Sequence, residues 1–105
     1  MRYTSTPQEI RHLVDVNEKI GLWGIRHITL TNGQKYIGLI TGSKCGNNGV
    51  PRSAYYGEVT ILTLDNKQIN IDLLDIKSVF DVTDNVLSEF EKAGLVKIVD
   101  LPASE

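Results

Sequence analysis

Ile28-Thr29-Leu30-Thr31-Asn32-Gly33-Gln34-Lys35-Tyr36-Ile37-Gly38-Leu39-Ile40 decides the reading of this chain. Asn32-Gly33 separates two apolar-patterned runs, and Asn-Gly accommodates the positive φ angles of a tight type I′ turn, so the segment predicts a β-hairpin. Gly38 lies inside the second run. A glycine there marks a bulge, sharp curvature or the close approach of another part of the chain. A hairpin with one bent strand is what a small closed barrel requires. Ile28 and Leu30 alternate before the turn, and Tyr36, Gly38 and Ile40 alternate after it, so each strand presents one face inward. Ile37 and Leu39 fall on the opposite face. That face needs a cover: the N-terminal helix, the C-terminal segment or another subunit.

Further strands follow the hairpin. Glu58 to Leu64 is strand-like, Asp65-Asn66-Lys67 forms a turn, and Gln68 to Leu73 alternates Ile69, Ile71 and Leu73 with Gln68, Asn70 and Asp72. That alternation predicts one buried and one wet face. Asp75-Ile76-Lys77-Ser78-Val79 leads into another strand ending near Val82. Between the second and third strands, Ser43 to Gly57 carries Gly46, Asn47, Asn48, Gly49 and Pro51 and is expected to be a long connection.

Helices flank the strands. Thr6-Pro7-Gln8-Glu9 combines an N-cap, a proline at the first helical position and a glutamate at the third, the pattern of a capping box. Ile10, Leu13, Val14 and Ile20 supply an apolar face, and Arg11, Asp15 and Lys19 repeat every fourth residue on another. The polar face mixes acids with bases, so this helix is expected to pack across a barrel opening rather than lie on an anionic membrane. A second helix is expected from Asp84 to Ala93, with Val86, Leu87 and Phe90 on one face and Gly94 as its stop. Leu95 to Leu101 is expected to add a final strand.

With 105 residues, 41% of them hydrophobic and 23% charged, the chain is expected to be one domain, 1–105. It is mainly β with α additions (α+β): an N-terminal helix over 7–20, barrel strands within 25–82, and a helix plus strand over 84–101. A net charge of −2 gives no broad attraction to phosphate, so nucleic-acid binding would need a local basic patch. The lone Cys45 cannot form an internal disulfide, and no apolar run reaches the roughly 20 residues of a membrane-spanning helix. A cytoplasmic location without membrane association is expected, and no cofactor or metal is called for.

Asn32-Gly33, Tyr36, Gly38 and Ile40, followed by Gln68 to Val79, resemble the strand pattern of Sm-like (SH3-like) small β-barrels, and the preceding helix fits it. The resemblance spans roughly Pro7 to Val82. It implies a binding scaffold rather than an enzyme, as in RNA-binding rings and small adaptors. The run from Leu64 to Val79 is also similar to Rho-binding antitermination proteins, without the cysteine-containing N-terminal pattern of that family. In Sm-like RNA sites an acidic residue and an asparagine follow the bent second strand, and an arginine-glycine pair lies near the last strand turn. Here Lys44, Cys45, Asn47 and Asn48 occupy the first place and Leu73-Leu74-Asp75 the second, so the RNA site does not transfer.

Lys44, Arg52, Tyr55 and Tyr56 are the local candidates for recognition. The cations suit phosphate or carboxylate, and the tyrosines suit base stacking or a protein interface. The structural alternative sends the adjacent tyrosines in opposite directions, one filling the core and the other shielding a sheet edge. No catalytic set emerges: His12 and His27 make no metal spacing with Cys45, and Asp65, Asp72, Asp75, Asp81 and Asp84 sit where turns and helix starts use them. The expected function is a non-enzymatic protein-interaction or adaptor module that associates with itself or another protein. Binding of RNA or single-stranded nucleic acid through 43–57 is the alternative, and a small-molecule enzyme is third.

Overall fold

The computed structural model describes residues 3–47 and 54–96. Thr6 opens the first helix, α1 (Pro7–Ile20), by accepting a hydrogen bond from Glu9 N at 3.1 Å. Glu9 Oε1 returns the bond one residue early, accepting from Ser5 N and Ser5 Oγ, each at 2.7 Å. Both interactions satisfy amides that the helix start leaves without carbonyl partners. The helix buries Leu13, Val16 and Ile20, while Val14, assigned above to the apolar face, is half exposed. Leu13, Val16 and Ile20 are spaced by three and four residues and share one stripe; Val14 lies off it.

Five strands follow: β1 (Ile25–Leu30), β2 (Lys35–Asn47), β3 (Tyr55–Thr63), β4 (Gln68–Asp72) and β5 (Ile76–Asp81), with a short 3₁₀ turn, Leu73–Asp75, between β4 and β5. They form one antiparallel sheet in the order β4-β3-β2-β1-β5. The last element is helix α2 (Thr83–Lys92), one residue ahead of its expected position. Leu95 and Val96 are not in a strand, and the remainder of the expected final strand, 97–101, lies outside the described residues.

The β1–β2 turn differs from the expected type I′. Only Gly33 takes a positive φ, at 91°. Gly33 N donates to Leu30 O at 3.0 Å and Leu30 N to Gln34 O at 2.8 Å, so the loop is the wider form with a glycine bulge. Asn32 keeps a negative φ because its side chain is used locally, Oδ1 accepting from Gln34 N at 2.9 Å. The β3–β4 turn repeats this geometry, with Asn66 at φ 65° in the glycine's place.

The inner face of the sheet and α1 enclose the main core of Leu13, Val16, Ile20, Ile28, Ile40, Val59, Ile61, Ile71, Leu73, Leu74, Ile76 and Val79. His12 fastens α1 to β5 by donating from Nε2 to Ile76 O at 2.6 Å. Gly38 serves this core by close approach: a Cβ there would lie 2.8 Å from Ile61 Cβ. The ladder irregularity falls slightly later, between Ile40 and Gly42. On the outer face, Ile25, Leu39 and Phe90 form a second cluster with Leu62, Val82, Val86 and Leu87 packed around it. The cover required for Leu39 is therefore α2.

Arg26, which no sequence pattern above singled out, ties these layers together. Its side chain is buried, and Nε donates to Ile20 O at 3.1 Å and Lys19 O at 3.3 Å, satisfying carbonyls at the end of α1. Nη2 donates to Trp23 O at 2.9 Å, and Nη1 reaches Ile25 O and Thr83 Oγ1, both at 3.3 Å, and Asp81 Oδ1 at 3.1 Å. Thr83 Oγ1 also accepts from Ile25 N at 2.9 Å and donates to Asp81 at 2.7 Å, which links β1 to the start of α2. Gly24 permits this network, since at φ 125° any side chain would be strained and its Cβ would meet Thr83 Oγ1 at 2.8 Å.

Two expectations test these constraints by urea denaturation. Gly38→Ala should lose about 1–3 kcal/mol through overpacking against Ile61, and Gly33→Ala, with open space around it, about 1 kcal/mol from its backbone alone. Arg26→Lys and Arg26→Met should each lose about 3 kcal/mol or more, because an ammonium cannot reproduce the planar fork and a thioether leaves the carbonyls unpartnered.

Candidate functional site

Three of the candidate recognition residues, Lys44, Tyr55 and Tyr56, lie on paired strands rather than in a loop. Ser43 to Asn47 and Tyr55 to Gly57 are strand, paired Ser43↔Val59, Lys44↔Glu58, Cys45↔Gly57, Gly46↔Tyr56 and Asn47↔Tyr55. This corrects the expected long connection over Ser43 to Gly57. The glycines that signalled a loop instead make room for side chains. A Cβ on Gly46 would meet the Tyr56 ring at 2.8 Å, and one on Gly57 would meet Leu73 Cδ1 at 2.5 Å. Asn48, Gly49, Pro51 and Arg52 lie outside the described residues.

Tyr55 and Tyr56 point to opposite faces. Tyr55 packs on the main core, and its backbone is held by Thr4: Tyr55 N donates to Thr4 Oγ1 at 2.9 Å and Thr4 N donates to Tyr55 O at 2.8 Å. Tyr56 lies over Gly46 and meets the edge of the Tyr3 ring, with centroids 5.4 Å apart and planes at 79°. Lys44 stands two residues from Gly46 along β2, directly across from Glu58 and diagonal to Tyr56. One face of the hairpin thus presents Tyr3, Tyr56, the exposed Lys44 and the half-buried Glu58. Tyr55 belongs to the core, and Tyr3 joins the face from the N-terminal segment.

Cys45 is exposed, and its thiol donates to Asn17 Oδ1 on α1 at 3.4 Å. Partial burial pushes its pKa up, which keeps it a thiol and lowers its nucleophilicity. Three of the carboxylates considered above, Asp65, Asp72 and Asp81, are engaged in local structure. Asp72 Oδ1 accepts from Leu74 N at 2.9 Å. Asp65 is held below the usual carboxylate range first by the Thr63 hydroxyl, with Lys67 adding to it. Asp81 is lowered first by the hydroxyl and amide of Thr83 and last by Arg26. No group of three or more His, Cys, Asp or Glu side chains placed to hold a metal occurs among the described residues. No helix among them is long and apolar enough to cross a membrane.

A second surface was not anticipated as a unit. The ladders align Ile37 with His27 and His27 with Phe80 in one row across the outer face of β2, β1 and β5. Ile37 is 43% exposed and Phe80 61%, because α2 covers only the adjoining row of Ile25, Leu39 and Leu62. Leu22 and Trp23, in the turn after α1, are 94% and 58% exposed, and Arg26 holds that turn through the Trp23 carbonyl.

No family model and no curated protein matches this chain. Among solved structures, it is similar to a protein of Xanthomonas campestris whose crystal structure adopts a novel variant of the Sm-like motif. The TM-score is 0.58 at 17% sequence identity, and the match covers 76% of this chain and 91% of that one. The fold is therefore Sm-like, with five antiparallel strands and a helix at each end among the described residues. The resemblance to Rho-binding proteins has no counterpart in these comparisons.

The Tyr3–Tyr56 contact joins the N-terminal segment to the hairpin. A double-mutant cycle with Tyr3→Leu and Tyr56→Leu, read by urea denaturation, should give a coupling of about 0.5–1.5 kcal/mol. Additive losses would show that the rings act independently.

Proposed function

We propose that this protein is a non-enzymatic interaction module that associates with itself. The observation that carries this reading is the uncovered row of Ile37, His27 and Phe80, which ends at the sheet edge formed by β5. Large apolar side chains left exposed together on a sheet, beside a strand edge, are what a protein interface covers. Leu22 and Trp23, in the turn that Arg26 ties through the Trp23 carbonyl, add apolar surface of the kind that anchors interfaces. The non-enzymatic part of the reading is supported by the use already made of the polar side chains. His12 bridges α1 to β5, Asp72 and Asp81 cap turns, and Asp65 closes the β3–β4 loop with Thr63. In a cytoplasmic setting such a module would act as an adaptor.

A second reading rests on the Tyr3, Tyr56 and Lys44 face. Aromatic rings beside a cation suit the stacking of bases and contact with phosphate, which fits sequence-tolerant binding of RNA or other single strands. Arg52 belongs to this reading by sequence proximity.

Light scattering over a concentration series, with and without a random RNA pool, separates the two. Self-association predicts a mass above that of one chain that rises with protein concentration and is indifferent to RNA. The nucleic-acid reading predicts an RNA-dependent mass increase that is lost as salt is raised and weakened about tenfold or more by Tyr56→Ala. A single-chain mass at every concentration would reject self-association.

A further inference from the structure

We propose that a second copy of this chain pairs with the first along β5, edge to edge and antiparallel, about a two-fold axis at Val79. This rests on the self-association reading and names its surface. The hydrogen-bonding direction of β5 follows from its ladder. Val82 N donates to Ile25 O at 3.0 Å, so the alternation makes His27–Phe80 and Thr29–Ser78 the bonded pairs with β1. The backbone groups of Val79 and Asp81 then point away from β1, toward the side of the sheet on which no strand lies among the described residues. Lys77 is the extra residue of the bulge, skipped between Ser78↔Thr29 and Ile76↔Leu30. Below it α1 closes the edge, since His12 occupies Ile76 O.

Two copies of this edge select one register by charge. Antiparallel pairing must set outward-pointing residues against one another, and centring it on Val79 places Lys77 across from the partner's Asp81 twice. Moving the centre to Ser78 would set Asp81 against the partner's Asp75, acid against acid. Moving it to Phe80 would set Asp81 against the partner's Val79 and lose the match. Asp81 is available for such a pair. Its contacts with Arg26, Thr83 N and Thr83 Oγ1 all fall on Oδ1, and the side chain is 67% exposed. The other edge strand, β4, reads Gln-Ile-Asn-Ile-Asp and has no base with which to complement itself.

The same register gives Phe80 a partner. Phe80 falls across from the partner's Ser78, so the two Phe80 rings become diagonal neighbours on the outer face, about 7–8 Å apart at Cα and within reach of each other. The uncovered rows of Ile37, His27 and Phe80 then continue from one copy into the next across a single ten-stranded sheet, twice the five strands of each chain.

Sedimentation velocity on wild type, Lys77→Asp, Asp81→Lys and an equimolar mixture of the two variants tests this. Circular dichroism on each confirms the fold. Wild type should be a dimer, and each variant alone should dissociate about tenfold or more readily, because like charges then face each other twice. The mixture should recover the dimer, since the two acids of one copy meet the two bases of the other. Asp81 also braces Thr83, so Lys77→Asp, whose side chain is exposed, decides the matter if Asp81→Lys fails to fold. A wild-type dimer indifferent to Lys77→Asp overturns the β5 pairing and leaves self-association standing, as does a larger ring or filament. A wild-type monomer at roughly 100 µM overturns both, since micromolar association would be saturated there.

Discussion

The buried guanidinium of Arg26 is the constraint on which the arrangement of layers depends. One planar group with donors in a fixed fork satisfies carbonyls at the end of α1 and in the following turn, meets the side chain of Thr83 at the start of α2, and pairs with Asp81 at the end of β5. A charge taken out of water is costly unless its donors are met, and here oxygens from four parts of the chain meet them. Gly24 and Thr83 follow from Arg26: the first leaves space for the side chain, and the second divides its hydroxyl between β1 and Asp81. Both helices are thereby referred to one point on β1.

From that point the two faces of the sheet acquire different fates. The inner face is closed by α1 over a continuous aliphatic core. The outer face is closed only where Phe90 and its neighbours on α2 reach, and α2 is short. In the next row of the sheet, Phe80 and Ile37 remain exposed and His27 between them is half-buried. Exposed apolar surface beside a strand edge has a free-energy cost in isolation that a partner relieves. The position of α2, set through Thr83 and Arg26, thus determines which apolar surface is left exposed.

The β2–β3 hairpin is extended for a related reason. Tyr56 finds a floor on Gly46, and Leu73 reaches close to Gly57, so glycines serve as contacts within a ladder. Tyr3 and Thr4 then fasten the N-terminal segment to the same hairpin through a ring contact, one backbone bond and the Thr4 hydroxyl. A face of mixed aromatic and charged character results from three separate stretches of chain. It is built on strands, which hold side chains more rigidly than a loop would.

Much of the fold was legible in the amino-acid order because it depends on local physics. Thr6 and Pro7 start α1, the alternation of Ile69 and Ile71 with polar neighbours marks β4, and Gly33 alone supplies the positive φ of its turn. Similarity to an Sm-like pattern followed from the spacing of these signals. The candidate site was legible only in its residue types. Gly46, Asn47 and Gly57 carry the same local signal whether they form a loop or make room for side chains in a ladder, so only the pairing of β2 with β3 decided it. The burial of Arg26, the division of Tyr55 from Tyr56 and the alignment of Phe80, His27 and Ile37 join residues far apart in sequence. Local sequence determines which segments become helices and strands; which faces they bury is settled only by long-range register, because a shift of one residue in a strand exchanges its two faces.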